Sequence, residues 1–136
     1  MKEASGKCLC GAVEFEIKIV AKEFSSCHCS MCRRWSGAPA FAIEALNGIN
    51  FKNEENVKVY SSSEWAERGF CVQCGTHLFY RLKNGNYINI PLGTLNDQED
   101  FKFTSQIFID HKPTYYEFSN ETMKMTEAEV LNSSTS

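Results

Sequence analysis

Hydrophobic and polar residues alternate strictly along the segment Gly11–Val20. Its apolar positions are Val13, Phe15, Ile17 and Ile19, and the positions between them are glutamate or lysine. An alternation with a period of two is the pattern of a strand that buries one face and exposes the other. We therefore predict a half-buried β-strand in this segment.

Six further runs are rich in β-branched and aromatic residues, which favour strands. These runs are Phe41–Ile43, Ile49–Lys52, Val57–Tyr60, Thr76–Leu82, Tyr87–Pro91 and Phe101–Asp110. Asn84 and Gly85 lie between the fourth and fifth runs and predict a hairpin with a two-residue type I′ turn, which needs positive φ at both positions. The pattern as a whole predicts a mostly β fold.

Helical signals are short and few. They cover one or two turns at Ser30–Trp35 and a second segment at Ser119–Leu131, and the polar end at 132–136 is expected to fray. No repeat, linker or change in composition marks a boundary. We expect one domain over residues 1–136, with its core at about 6–118 and a C-terminal tail at about 119–136.

The length and charge of the chain limit the classes of protein to which it could belong. A chain of 136 residues can bury a core without disulfides. The formal net charge is −3 and the basic residues are scattered, so a nucleic-acid partner is not expected. The N-terminus lacks the apolar run of a secretory signal, and no stretch of about 18 apolar residues could span a bilayer. We expect a cytoplasmic protein with no membrane partner and make no prediction of its oligomeric state.

The seven cysteines are the unusual feature of the composition, and they fall into three groups. The groups are Cys8 with Cys10, then Cys27 with Cys29 and Cys32, then Cys71 with Cys74. In a reducing compartment such thiols stay free unless a metal binds them. Short spacings of this kind are typical of zinc ligands, so metal ligation is the simplest explanation.

The outer two groups share a feature that the middle one lacks. Gly11 follows Cys10 and Gly75 follows Cys74, and glycine allows the backbone to turn with positive φ beside a metal. We therefore predict a closed structural site, here called the tetrad, formed by Cys8, Cys10, Cys71 and Cys74. The remaining triad, which consists of Cys27, Cys29 and Cys32, would hold a second zinc with a vacant fourth position, as catalytic zinc sites do.

Two other interpretations of the cysteines stay open. A single zinc site could be accompanied by spare buried thiols, since free cysteine is a common core residue. Alternatively, Cys71 and Cys74 could complete the middle group, which would leave Cys8 and Cys10 without a metal.

Several residues near the triad are candidates for a role in binding or catalysis. Arg33 and Arg34 could bind a substrate carboxylate or stabilise an oxyanion, or could be a solvated surface pair. In an extended backbone, His28 points away from its neighbours Cys27 and Cys29, so it is not expected to be a ligand, although it could face the substrate.

Other aromatic and histidine residues have mainly structural interpretations. Four aromatic residues could form an apolar wall at the metal, or could pack in the core: Trp35, Phe41, Phe70 and Phe79. His77 and His111 are expected to be structural or surface residues.

The cysteines lie in three motifs. These are Cys-x-Cys-Gly-x-Val from Cys8, Cys-His-Cys-Ser-x-Cys-Arg-Arg from Cys27 with a following Ser-Gly-Ala, and Phe-Cys-x-x-Cys-Gly-Thr-x-Leu from Phe70. In this order they resemble the motifs of the glutathione-dependent formaldehyde-activating enzyme family, which includes centromere protein V. The resemblance runs from about Gly6 to Phe118 and includes all seven cysteines.

The resemblance implies an Mss4-like, zinc-bearing antiparallel β fold (a β-tent) with few short helices. It also implies two zinc ions per chain, a structural one on the tetrad and a catalytic one on the triad. The implied activity is that of a carbon–sulfur lyase whose small-molecule partners are a thiol and an aldehyde, with S-hydroxymethylglutathione as the prototype adduct.

Fold does not fix function, so two other hypotheses stand beside the enzyme. One is a zinc-stabilised binding or chaperone-like module without catalysis. The other is a metal or redox sensor in which the thiols of the triad are oxidised reversibly.

Overall fold

A computed structural model describes residues 1–134 of the chain. The strands in chain order are β1 (Lys2–Lys7), β2 (Glu14–Ile19), β3 (Glu23–Cys27), β4 (Ala40–Glu44), β5 (Leu46–Lys52), β6 (Val57–Ser61), β7 (Ala66–Cys71), β8 (His77–Leu82), β9 (Ile88–Pro91), β10 (Lys102–Ile107) and β11 (Met123–Met125). The α-helices are α1 (Ser30–Ser36) and α2 (Glu127–Ser134). The prediction of a mostly β fold with few short helices is confirmed.

The chain divides into two compact units. Unit 1 consists of Met1–Lys22 and Ala42–Asp100, and unit 2 consists of Glu23–Phe41 and the chain from Phe101 onward. The expectation of a single domain stays a prediction. No helix within residues 1–134 is long and apolar enough to cross a membrane.

Unit 1 contains the tetrad and is built from antiparallel strands. One group has the order β1-β2-β5, and the other has the order β4-β9-β8-β7-β6. The alternation in β2 is confirmed, because Phe15, Ile17 and Ile19 are at most 3% exposed while the charged residues between them face solvent. This buried face, together with Leu78 and Ile90, forms much of the core of the unit.

The strands β7 and β8 approach each other closely in the middle of unit 1. Gly69 lies opposite Phe79, and a Cβ atom built on Gly69 would stand 2.2 Å from Cε2 of that ring. The ring therefore occupies the space that a side chain at position 69 would need. This contact fixes the spacing of the two strands that lead to Cys71 and Cys74.

The predicted hairpin between β8 and β9 is present, but the predicted turn type is wrong. The loop comprises residues 83–86, and the N–H of Gly85 donates to the carbonyl of Leu82 at 3.0 Å. Within this fully described loop only Gly85 has positive φ, so Asn84 is not in the conformation that a type I′ turn requires. Asn84 instead accepts a hydrogen bond from the N–H of Asn86 at 2.9 Å, which stabilises the longer loop.

Unit 2 contains the triad, and its strands pair in parallel, unlike those of unit 1. The order is β11-β10-β3, with Ile107 of β10 opposite Cys27 at the end of β3. The unit also contains an aromatic cluster in which contacting ring centroids lie 4.9–5.7 Å apart, formed by Phe24, Phe41, Phe103 and Phe118. The short helix α1 begins directly after β3 and carries the third cysteine of the triad.

The C-terminal segment differs from the prediction of a helix over Ser119–Leu131. Residues Met123–Met125 form β11, and helix α2 begins only at Glu127 and continues to Ser134. The last two residues of the polar end that is expected to fray lie outside the described residues. The prediction of a strand over Phe101–Asp110 was too long, since β10 ends at Ile107.

Candidate functional site

Two equivalent backbone turns carry the cysteines of the tetrad. In the first, Gly11 has φ +80° and its N–H donates to the carbonyl of Cys8 at 3.2 Å. In the second, Gly75 also has φ +80°, and its N–H donates to the carbonyl of Cys71 at 2.8 Å. The glycines thus have the positive φ that the sequence predicted for them, and each turn presents two sulfur atoms to one point.

The sulfur atoms of the tetrad have the spacing of a tetrahedral metal site. All four Sγ atoms lie within 4.8 Å of one another. The Sγ of Cys10 is 3.6 Å from that of Cys8 and 3.9 Å from that of Cys71, and none of the cysteines is in a disulfide. A zinc–sulfur bond of about 2.3 Å implies sulfur–sulfur distances of about 3.8 Å in a tetrahedron. The tetrad therefore fits a closed zinc site, in agreement with the predicted grouping.

Each sulfur of the tetrad also has a polar group beside it. Backbone N–H groups donate to three of them, from Val13 to Cys8 at 3.3 Å, from Ala12 to Cys10 at 3.4 Å and from Gln73 to Cys71 at 3.4 Å. The hydroxyl of Thr76 lies 3.1 Å from the Sγ of Cys74. These donors stabilise thiolates, which is the form that binds metal.

Thr76 connects the two turns of the tetrad. Its hydroxyl oxygen accepts the N–H of Leu9 at 3.0 Å, so its hydrogen is directed to Cys74. The hydroxyl and the backbone N–H of Thr76 lower the pKa of Cys74 to about 5. Both donors favour the thiolate form of Cys74, which is the form that binds metal.

The triad is built at the junction of β3 and α1. Cys27 is the last residue of β3, Cys29 is the N-cap of α1, and Cys32 lies in the first turn of the helix. The Sγ of Cys29 accepts the N–H of Cys32 at 3.3 Å, as an N-cap side chain does. The three Sγ atoms lie within 4.8 Å of one another, and all three residues are half-buried.

Two thiols of the triad, those of Cys29 and Cys27, have pKa values that are shifted in opposite directions. Hydrogen bonds from the thiols of Cys27 and Cys32 lower the pKa of Cys29 to about 2. Hydrogen bonds with Cys29 and Cys32, together with burial, raise the pKa of Cys27 far above its usual range. A metal ion would displace the remaining protons and bind three thiolates, which is a donor set that zinc prefers.

The triad gains no fourth protein ligand from the part of the chain that the structure describes. His28 lies between Cys27 and Cys29 in sequence but is directed away from their sulfurs, as predicted. Its Nδ1 is 2.6 Å from the hydroxyl of Tyr116, and its Nε2 is 2.8 Å from Oε1 of Gln106. Both ring nitrogens are therefore in use, and burial lowers the pKa of His28 below its ordinary value. The imidazole is a neutral structural group, not a ligand.

The structure distinguishes the two arginines that follow the triad. Arg33 is half-buried, and its Nε donates to the carbonyl of His28 at 2.9 Å. No carboxylate within residues 1–134 lies within 4.0 Å of its guanidinium. Arg34 is exposed on α1. Arg33 is thus the arginine that is fixed beside the triad.

The other candidates have structural positions. Phe79 belongs to the core of unit 1, where it packs against Phe51, whereas Phe41 is 41% exposed and lies in the aromatic cluster of unit 2. His111 is exposed and its Nε2 lies 2.8 Å from Glu127, as expected for a surface residue. His77 is half-buried in β8.

The residues that surround His28 were not predicted from the sequence. Gln106 is 2% exposed and its Nε2 donates to the hydroxyl of Thr122 at 2.9 Å. Gln106 and Tyr116 lie 78 and 88 positions after His28, and neither stands in a cysteine motif. Polar residues at such separations carry no local pattern that would connect them to the triad.

Both cysteine clusters lie within the part of the chain that matches one family model. The model of the family "Glutathione-dependent formaldehyde-activating enzyme" matches residues 3–111, which include all seven cysteines. A Schizosaccharomyces pombe protein named as an uncharacterized lyase is 38% identical over 136 residues, and the match covers 98% of each chain.

Two further relatives are more distant. A Halomonas elongata protein that carries the name of a glutathione-dependent formaldehyde-activating enzyme is 31% identical over 86 residues, which is 54% of this chain and 53% of that protein. The crystal structure of a Rhodobacter sphaeroides protein superposes with a TM-score of 0.59 at 26% identity. That match covers 74% of this chain and 99% of the other, so the fold is shared with a solved structure.

Proposed function

The chain belongs to the family of glutathione-dependent formaldehyde-activating enzymes, and from this premise we propose that it is a zinc-dependent carbon–sulfur lyase acting on a thiol–aldehyde adduct. The observation that carries the proposal is the triad, in which three sulfurs converge and residues 1–134 offer no fourth protein ligand. The family description and the name of the Halomonas relative support a thiol of the glutathione type as the substrate.

The two clusters support a zinc ion each, with different roles. Four thiolates saturate a tetrahedral ion, so the tetrad is assigned a structural role in unit 1. The triad leaves one position for a small ligand. When bound there, zinc lowers the pKa of a thiol or water in that position and so supplies a nucleophile at neutral pH.

The proposed reaction needs no oxidant or reductant. In the direction of synthesis, the thiol loses its proton, its sulfur bonds to the aldehyde carbon, and the carbonyl oxygen takes up a proton to become a hydroxyl. In the reverse direction the carbon–sulfur bond breaks, and the thiol and the aldehyde are restored. The reaction is an addition or an elimination, which agrees with the lyase name of the fission-yeast relative.

The residues around the triad fit this chemistry electrostatically. Three thiolates and a substrate thiolate bring four negative charges into a half-buried site, which exceeds the charge of a divalent ion by two. Arg33 is fixed beside the triad by its hydrogen bond to His28, and no carboxylate among the described residues lies within 4.0 Å of its guanidinium. Its positive charge offsets part of this excess.

The proposal is tested by the exchange of glutathione with formaldehyde, followed by NMR on the full chain. We expect two zinc ions per chain and an exchange rate above the uncatalysed rate. Cys29→Ser should lose one zinc and the rate enhancement, while Met31→Leu, a change at an exposed position of α1 between Cys29 and Cys32, should keep both.

Two outcomes would contradict the proposal. One is an unchanged rate enhancement in Cys29→Ser. The other is a wild-type protein that binds two zinc ions but accelerates no thiol–aldehyde exchange, which would favour the binding or chaperone-like module.

A further inference from the structure

His28 is held at all four of its hydrogen-bonding groups. Its backbone N–H donates to the carbonyl of Ile107 at 3.1 Å, and its carbonyl accepts Nε of Arg33 at 2.9 Å. Its ring contacts Tyr116 at 2.6 Å and Gln106 at 2.8 Å. The residue is 0% exposed, so every one of these bonds replaces water that cannot reach it.

The hydrogen bonds of Gln106 determine which atom donates and which accepts in the contacts of the His28 ring. Because Nε2 of Gln106 donates to Thr122 at 2.9 Å, its Oε1 accepts the Nε2–H of His28. The neutral imidazole then has its free lone pair on Nδ1, which accepts the hydroxyl proton of Tyr116. Each group in the chain has one role, and removal of any member leaves a buried polar atom without its partner.

The tetrad and the triad differ in what sets the positions of their sulfurs. Each turn of the tetrad is closed by local backbone hydrogen bonds and by a glycine with positive φ. The segment from Cys27 to Cys32 contains no glycine, and Cys27 and Cys29 are separated only by His28. The backbone angles of His28 therefore decide where these two sulfurs point, and residues far along the chain hold those angles.

We propose that Tyr116 and Gln106 are positioning residues that act through His28 to hold Cys27 and Cys29 at metal-binding spacing. The inference rests on the proposed function, because it concerns metal binding at the triad. Partners outside the ligand set commonly change metal affinity by about 10- to 100-fold when they are removed. The hydroxyl of Tyr116 and the amide of Gln106 are expected to have effects in this range on the triad alone.

The test measures Co²⁺ affinity at each site of the full-length protein by chelator competition, with the sulfur-to-cobalt absorption as the signal. The variants are Tyr116→Phe, Gln106→Leu and the double substitution. Tyr115→Phe is the matched control, since it removes the same hydroxyl from a neighbouring residue that is 76% exposed. The Cys29→Ser protein supplies the spectrum of the tetrad, which serves as an internal report on folding.

We expect each single variant to weaken Co²⁺ binding at the triad by about 10-fold or more. The tetrad and the Tyr115→Phe protein should be unchanged. The double variant should lose less than the product of the single effects, because both residues act through the same imidazole. The ligand-field bands of the triad should also change shape, which a loss of global stability alone would not produce.

Equal weakening of both sites, an unchanged triad, or an equal effect of Tyr115→Phe would overturn the inference. In each of these cases the wild-type triad still binds metal and the proposed function stands. A wild-type triad that binds no Co²⁺ or Zn²⁺ would overturn the inference and the proposed function together.

Discussion

Substitution of Gly69 by alanine should destabilise unit 1, because Phe79 occupies the space of the new methyl group. The added Cβ would lie 2.2, 2.4 and 2.7 Å from three carbons of the ring. Carbon atoms in favourable contact are about 3.5–4.0 Å apart, so the ring would have to retreat by about 1.3 Å.

The surroundings of Phe79 oppose such a movement. The ring is 2% exposed, with the guanidinium of Arg81 4.5 Å from its centroid and the ring of Phe51 at 6.0 Å. Overpacking of this kind costs about 1–3 kcal/mol, and a contact with three ring atoms places Gly69→Ala in the upper half of that range. For a chain of this size the melting temperature should fall by about 8–12 °C.

The assay is urea and thermal unfolding of the zinc-loaded protein, with two companions. Gly93→Ala is the matched control, since a Cβ at Gly93 meets no atom within 4 Å and that residue does not have positive φ. Phe79→Leu should destabilise the Gly69→Ala protein less than it destabilises wild type, by about 1 kcal/mol or more. A free energy of unfolding for Gly69→Ala within about 0.5 kcal/mol of wild type would refute the argument.

Three further predictions concern single side chains. Thr76→Val should lower the free energy of unfolding by about 1 kcal/mol and speed the removal of zinc from the tetrad by a chelator, because Cys74 loses its hydroxyl donor. Thr76→Ser keeps the hydroxyl and should have neither effect. Equal rates of zinc release from the two variants would contradict this. Arg33→Ala should slow thiol–aldehyde exchange about 10-fold while Arg34→Ala leaves it unchanged, and equal rates for the two would contradict the assignment of Arg33. His111→Ala should change the free energy of unfolding by less than about 1 kcal/mol, since its ion pair is exposed; a larger loss in urea unfolding would show a role that the structure does not explain.

The parts of the fold that could be predicted are those whose signal is local. The alternation in β2 depends only on which face of one strand is buried, and the turns at Gly11 and Gly75 depend on the conformational freedom of a single residue. The cysteine spacings also report on local geometry, and the structure brings together the same four and the same three.

The strands that were missed have weak local patterns. β1 (Lys2–Lys7) contains no large apolar residue, and β3 (Glu23–Cys27) contains only Phe24. The buried positions of β7 (Ala66–Cys71) are Ala66, Arg68, Gly69 and Cys71, so they carry no large apolar side chain that would mark a strand. These segments become strands because their neighbours supply hydrogen bonds and burial, which a single segment does not reveal.

Pairing with a distant strand also explains why the helix predicted over Ser119–Leu131 is absent from the first part of that segment, before Glu127. Residues Met123–Met125 pair in parallel with Ser105–Ile107, and that pairing partner lies too far away in sequence to leave a local signal. The contacts of His28 are of the same kind. Local patterns grouped the three cysteines of the triad, whereas the residues around His28 are visible only in the folded chain.

The central claim is that a metal held by the triad has an open position, and the most direct test is whether a thiol can fill it. Protein with zinc in the tetrad and cobalt in the triad is titrated with glutathione while the sulfur-to-cobalt charge-transfer band is recorded. We expect the band to grow and to saturate at one thiol per chain. The Cys29→Ser protein should show no such change. A triad that holds cobalt but gives no new band on addition of thiol would contradict the claim.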